Sequence, residues 1–308
     1  MRLLFFCAVL ILSIAAMACG DDEDMGDSGN SRLKVVATTV QITALTQEVG
    51  GDLIELHGII PAGTDSHEFE PTAGDLRAIE EADVILKNGI GLDDWIDDTL
   101  GASEAEPVTV TAGIETIEGG LADHEEEAED EHTQDPHVWQ DPANAQIMVD
   151  NIAATLSDAD PENADAYEAN AEAYNTTLEE TRNEVQAIID EISREDRKLV
   201  TNHDAFGYFA SAFSLEVVGA VIPSLTTGAE ASAEDTAALL ETIERENVKA
   251  IFAESSVNSG LARTLADDAN VTIVDDLYGD SLGEQGSGAE TVHGMLLANA
   301  RKIADALK

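Results

Sequence analysis

A single amphipathic stripe dominates the middle of the chain. Tyr167, Ala171, Tyr174, Leu178, Thr181, Val185, Ile188 and Ile192 recur at alternating steps of four and three. That period places them on one face of an α-helix. Asp160 suits the N-cap and Pro161 the first helical position, so the helix is expected over 160–194. About 30 residues at about 1.5 Å each reach about 45 Å, enough to cross both halves of a two-lobed protein. Tyr, Ala and Thr occupy seam positions where Leu or Ile would favour a coiled-coil dimer, so a monomer is expected.

On both sides of the stripe, short apolar runs alternate with helical segments. Residues 34–39 read as a buried strand, and 53–60 and 83–87 as a second and a third strand. Helices are expected over 42–49, 72–82 and onward from Leu92. After the stripe, strands are expected at 198–201, 215–222, 249–253 and 271–274, with helices at 205–213, 233–246, 261–268 and 289–307. Such alternation predicts α/β units around parallel sheets. The reading is an α/β protein of two lobes, 32–159 and 195–308, each a mainly parallel sheet flanked by helices and joined by the long helix.

The chain begins with an export signal. Arg2 precedes the uncharged apolar run Leu3–Ala18, which is shorter than the roughly 20 residues that span a bilayer. Residues 1–18 therefore read as a signal peptide. Ala15-Ala16-Met17-Ala18-Cys19 resembles a bacterial lipobox, which makes Cys19 the candidate lipid anchor to the membrane. Residues 19–31 are too polar to fold and read as a tether. Cys7 falls inside the signal, so the mature body has no disulfide, and any soft metal must be held by His and carboxylates. The expected location is outside the cytoplasm, on the outer face of the cytoplasmic membrane or in the periplasm.

Charge removes one class of partner. The chain carries 63 Asp+Glu against 15 Lys+Arg, a formal charge of −48. Phosphate backbones are held mainly by Lys and Arg, so no nucleic-acid partner is expected. The 44% hydrophobic content excludes a wholly disordered polyanion.

Three of the seven histidines sit in loops bracketed by Pro, Asp and Asn. His67 lies in 61–71 and His203 in 201–205, both directly after expected strands, where open α/β sheets bind ligands. His137 lies in the loop 135–142. Imidazole is the commonest metal ligand near neutral pH, although spacing alone does not make the three converge.

Five motifs then appear in order. They are Gly63-Thr-Asp-Ser-His67-Glu-Phe-Glu-Pro71, Ala82-Asp-Val-Ile-Leu-Lys-Asn88-Gly89, Asp135-Pro-His137-Val-Trp139, Asn202-His203-Asp-Ala-Phe-Gly-Tyr208 and Leu277-Tyr-Gly-Asp280-Ser-Leu-Gly283. Together they resemble the metal-binding solute-binding lipoproteins of bacterial ABC importers for zinc and manganese, over essentially all of 33–308. The resemblance implies ligands at His67 and His137 from the first lobe and His203 and Asp280 from the second, with the metal in the cleft. It implies an ABC permease as partner. Manganese members resemble this pattern with Glu at the third ligand, where this chain has His203. Three imidazoles and one carboxylate suit tetrahedral Zn²⁺, and harder oxygen ligands suit Mn²⁺. Zn²⁺ is therefore the expected cargo, with a manganese or iron carrier as the alternative.

Other residues enter with lesser roles. Glu254 matches an acidic position of the family and is the candidate to orient a ligand imidazole. Asp65, Glu68, Asp135 and Asp204 flank ligands and either do the same or face water. Asp275 and Asp276 compete for the fourth ligand position. The acidic stretch 121–135 holds His124 and His132 and resembles a weak version of the His-rich loop of zinc members, expected to collect metal at low affinity. His57 and His293 read as structural.

Two other classes of function are weaker. A secreted hydrolase is hinted at by Gly279-Asp-Ser281-Leu-Gly283, but a nucleophile elbow needs a sharp strand-to-helix turn, and loop residues follow here. A zinc hydrolase needs an open coordination position, which four ligands would fill. His67-Glu68 lacks the second His of a metalloprotease, since Pro71 stands there. The protein is therefore not expected to be an enzyme. A role as a surface adhesin, in cell adhesion, is the third reading, carried only by the resemblance.

Overall fold

The computed structural model describes residues 32–119 and 134–308. The leader 1–18, the tether with Cys19, and His124 and His132 lie outside the described residues.

Two four-stranded parallel sheets form the frame. The first contains β1 (Leu33–Ala37), β2 (Ile54–Gly58), β3 (Val84–Lys87) and β4 (Pro107–Thr109), in the order β2-β1-β3-β4. The second contains β5 (Lys198–Thr201), β6 (Glu216–Ala220), β7 (Ala250–Glu254) and β8 (Thr272–Leu277), in the order β6-β5-β7-β8. In both sheets the second strand is added on one side of the first and the later strands on the other, so each has a switch point between its two central strands, β1/β3 and β5/β7. Loops leaving the carboxyl ends of strands beside such a point form a crevice. Central strands are apolar on both faces because helices cover both: every residue of β7 is buried.

The helices are α1 (Val40–Gly50), α2 (Ala73–Glu80), α3 (Trp95–Thr99), α4 (Pro142–Ala159), α5 (Ala164–Ile189), α6 (Gly207–Phe213), α7 (Ala233–Glu246), α8 (Gly260–Ala269) and α9 (Val292–Leu307). Thr72 with Asp75, and Ser232 with Asp235, form capping boxes that start α2 and α7. The long helix α5 packs against α4 and α1 from the first lobe and against α9 and α6 from the second. Tyr167, Ala171, Tyr174, Leu178, Thr181, Val185 and Ile189 are its buried face. One apolar cluster runs from Val35 and Ala37 of β1 through this face to Leu199 of β5 and Phe252 of β7. The lobes thus share a core, and residues 32–308 form one unit.

Two expectations need correction. The long helix begins at Ala164 rather than Asp160 and ends at Ile189, so its last buried residue is Ile189 rather than Ile188, and Ile192 is buried beyond it. Asp160 closes α4, a helix the sequence reading lacked. Its Oδ2 accepts hydrogen bonds from Asn163 Nδ2 at 2.7 Å and the Tyr167 hydroxyl at 3.0 Å, which fixes the turn between α4 and α5. The second correction is β8, which runs on through Asp275 and Asp276 to Leu277.

Candidate metal centre

The structure brings His67, His137, His203 and Asp280 together. One ligand atom from each lies within 4.8 Å of all the others, and among the described residues this is the one such group. His137 Nε2 stands 3.4 Å from both His67 Nε2 and His203 Nε2. Asp280 Oδ1 is 3.1 Å from His137 Nε2, and Asp280 Oδ2 is 3.1 Å from His203 Nε2 and 3.3 Å from His67 Nε2.

Each position follows from local chemistry. His137 is set by the turn after β3. There the Asp93 carboxylate accepts from the backbone N–H of Asn88 at 2.6 Å and of Gly89 at 2.7 Å, and from the Thr38 hydroxyl at 2.6 Å. Burial raises the Asp93 pKa, and these donors pull it back only in part. Gly89 adopts φ +77°, which favours glycine. The fixed Asn88 side chain donates to Pro136 O at 3.1 Å, holding the residue before His137. Asp135 then accepts from both the backbone N–H of His137 at 2.9 Å and its ring Nδ1 at 2.6 Å.

His203 follows β5 directly, and its Nδ1 lies 2.5 Å from Glu254 Oε1 at the end of the neighbouring strand β7. Glu254 uses its other oxygen to accept from the backbone N–H of Asp280 at 3.2 Å. One carboxylate therefore positions two members of the group. Residue 279 must be glycine for this, because a Cβ there would strike the Glu254 carboxylate. His67 is fixed through its main chain, whose N–H donates to Asp65 Oδ1 at 2.9 Å. Phe69, two residues on, packs into the apolar cluster beneath the first sheet.

The electrostatics call for a cation. Asp135, Glu254 and Asp280 are at most 1% exposed, and His137 and His203 are sealed. With Nδ1–H committed to Asp135 and Glu254, neutral His137 and His203 turn lone pairs toward Asp280. Both Asp280 oxygens are then buried with no hydrogen-bond donor. Such a cluster needs an ion or extra protons at its centre. In the metal-free molecule protons serve. Burial pulls the His137 pKa down, but Asp280 and Asp135 outweigh it and push it up to about 9. Burial likewise opposes the charged form of His203, yet Glu254 and Asp280 raise it well above the ordinary value. Burial would raise the Asp280 pKa, and the three imidazoles instead hold it well below the usual carboxylate range.

The remaining candidates separate cleanly. Asp275 pairs with Arg263 and Asp276 with Lys302, so neither belongs to the group. His57 pairs with Asp75 at 2.9 Å, and His293 lies 3.2 Å from the Tyr174 hydroxyl. Glu68 is exposed, whereas Asp204 is buried. Ser281 is no elbow nucleophile: its Oγ accepts from the backbone N–H of Gly63 at 2.5 Å and donates to Leu282 O at 3.1 Å.

The cross-lobe contacts behind the group escaped the sequence reading. Trp139 Nε1 donates to Gly279 O at 3.1 Å, and Gln140 Nε2 to Tyr278 O and Gly279 O at 3.3 Å. The Tyr208 hydroxyl donates to Asp135 O at 3.0 Å. Trp139 and Tyr208 stood inside recognised motifs, but nothing in their spacing names a partner across the cleft.

Comparison with known proteins agrees with this geometry. Residues 35–306 match the family model described as zinc-uptake complex component A, periplasmic (ZnuA). The chain is 33% identical over 308 residues to the manganese ABC transporter substrate-binding lipoprotein PsaA of Streptococcus mitis, covering 97% of each. It is 30% identical to the metal ABC transporter substrate-binding lipoprotein ScbA of Streptococcus cristatus, covering 98% of each. Among solved structures it resembles the periplasmic zinc-binding protein TroA of Treponema pallidum, with a TM-score of 0.79 and 29% identity over 90% of this chain and 99% of that one. The Mn-bound periplasmic metal-binding protein of Candidatus Liberibacter asiaticus gives a TM-score of 0.77 at 29% identity, covering 89% of this chain and 100% of the other.

Proposed function

Since the chain belongs to the family of zinc-uptake complex component A, periplasmic, and is the extracytoplasmic metal-binding component of an ABC importer, we propose that its cargo is Zn²⁺, held by His67, His137, His203 and Asp280. It is a solute-binding protein and not an enzyme, exported and lipid-anchored on the outer face of the membrane. We assign the lipid to Cys19 and delivery to a permease partner, with the carrier acting as a monomer. The observation that carries the zinc reading is the donor set: three imidazole nitrogens aimed at one carboxylate in a cleft that meets solvent only at His67. Zinc bound at about 2.0–2.1 Å in a tetrahedron spaces its ligands about 3.3–3.4 Å apart. Around His137 Nε2, the His67 and His203 nitrogens and Asp280 Oδ1 stand at 3.1–3.4 Å, which supports that spacing, and the whole group lies within 4.8 Å. The ring Nδ1 partners hold two of the imidazoles ready, so little order has to be imposed when the ion arrives.

Relatives are named for manganese as well as zinc, so the test is a competition. Protein stripped with chelator is reloaded from equimolar Zn²⁺ and Mn²⁺ and its metal measured by elemental analysis. One zinc per chain is expected. Manganese retained in preference would overturn the zinc assignment and leave the carrier reading in place.

A further inference from the structure

We propose that Asp65 and Thr227 form a clasp between the lobes that holds the His67 loop closed and sets the rate at which the ion leaves. The inference rests on His67 being a metal ligand, as proposed above.

The four members of the group are not held equally. His137, His203 and Asp280 have fully buried side chains, whereas that of His67 is 10% exposed, so the group meets solvent at His67. His203 follows β5 directly, and Glu254, which holds both it and Asp280, is the last residue of β7. His137 is gripped at two atoms by Asp135. His67 instead sits in the middle of the loop 61–71, which has no regular structure of its own. Moving this loop exposes the ion without disturbing a strand of either sheet.

Two kinds of contact keep the loop down. On its own lobe, Phe69 packs beneath the sheet and lies 6.3 Å from the Trp95 ring. Toward the other lobe, the Ser66 hydroxyl donates to Asp280 O at 3.1 Å, and Gly63 N–H to Ser281 Oγ at 2.5 Å. Asp65 adds a third tie of a different character. Its Oδ1 accepts the N–H of His67 itself, at 2.9 Å, and its Oδ2 accepts the Thr227 hydroxyl at 2.6 Å. One carboxylate thereby joins the main chain of the ligand to the opposite lobe. Thr227 is 8% exposed and lies in the segment between β6 and α7. The same segment accepts the N–H of Asp204, next to His203, at Ser224 O, 3.0 Å away. The clasp therefore links the surroundings of two ligands that come from different lobes.

A hydrogen bond to a charged acceptor is stronger than a neutral one, and it is lost whenever the lobes part here. It lowers the population of the open state without touching the ion, so Asp65 and Thr227 are positioning residues. Their removal speeds release and leaves capture by the open state unchanged.

The test uses the full chain loaded with one Zn²⁺ and mixed rapidly with an excess of a chromophoric chelator. Thr227→Val is expected to release zinc about ten-fold to a hundred-fold faster, at an association rate that does not fall, since loss of a charge-assisted bond is of that size. Thr227→Ser, which restores the hydroxyl, is expected to return release to within about three-fold of wild type. Thr227→Ala should behave like Thr227→Val and serves where valine crowds the buried position. Unfolding of the metal-free variants checks that each is folded. Release from Thr227→Val and Thr227→Ala at the wild-type rate, or Thr227→Ser as fast as Thr227→Val, overturns the clasp alone. A wild-type protein that holds no zinc overturns the site reading, and the clasp with it.

Discussion

At the residue scale, the same arrangement appears twice: a buried carboxylate takes the ring Nδ1–H and turns the Nε2 lone pair toward a shared centre. Asp135 serves His137 and Glu254 serves His203. Partners of this kind usually carry a factor of about 10–100 in metal affinity. Glu254→Gln is expected to cost at least that much, measured by zinc titration against a competing chelator, because Glu254 also holds the Asp280 main chain. Protonation gives a second prediction. The folded His137 pKa, about 9 in the metal-free protein, lies above the unfolded value of about 6.5. Its protonated form therefore stabilises the metal-free fold fully below about pH 6.5, by on the order of 3 kcal/mol. That stability is lost as pH rises through about 9. An incoming Zn²⁺ must displace the same protons. Calorimetry should accordingly show the metal-free midpoint falling, and zinc affinity rising, between pH 6.5 and 9. An affinity that is flat over this range would contradict ligation by His137.

Elements explain both what the sequence disclosed and what it concealed. His67, His137, His203 and Asp280 were legible because each lies within a short local motif. The central strands β1, β3, β5 and β7 were legible because buried parallel strands are largely apolar. Helix α4 was not, and the reason is specific. Of the three Asp-Pro pairs in the chain, Asp141-Pro142 and Asp160-Pro161 both stand before helix-forming residues, and either can begin a helix. Asp141 caps α4, its side chain accepting from Ala143 N–H at 2.9 Å, while Asp160 ends it. Only the packing of α4 against α5 separates the two. Strand β8 runs past its apolar residues into Asp275-Asp276, where the apolar run ends. It is an edge strand, where acidic side chains reach Arg263 and Lys302 instead of a core. Strand β4, three residues with Pro107 at its head, also lies on an edge and is too short to leave a pattern. The cleft contacts of Thr227 and Ser281 left no local trace because their partners lie 162 and 218 residues away. Helix α5 carries its own prediction. Leu178 is fully buried within the cluster shared by both lobes. Leu178→Ala should cost about 2–5 kcal/mol of stability, read by denaturant unfolding of the metal-free protein. A cost well below about 1 kcal/mol would mean that α5 is not part of a shared core.

For the whole molecule, a formal charge of −48 accompanies a largely buried group that itself calls for a cation. The negative field concentrates cations near the surface, and the cleft discriminates among them by donor type and geometry. The acidic stretch 121–135 contributes to the field, but its last residue, Asp135, belongs to the metal centre. We assign His124 and His132 the role of low-affinity collectors. Deleting 121–132, and so sparing Asp135, should slow zinc capture at low concentration and leave one tightly held ion per chain; a lost tight site would refute that assignment. At the centre of the molecule, three imidazoles and one carboxylate are proposed to enclose a single zinc. X-ray absorption at the zinc K-edge of the loaded protein tests this most directly. We predict four nitrogen and oxygen neighbours at about 2.0 Å, with the outer-shell signature of three imidazole rings. A six-coordinate shell of oxygens without that signature would contradict it.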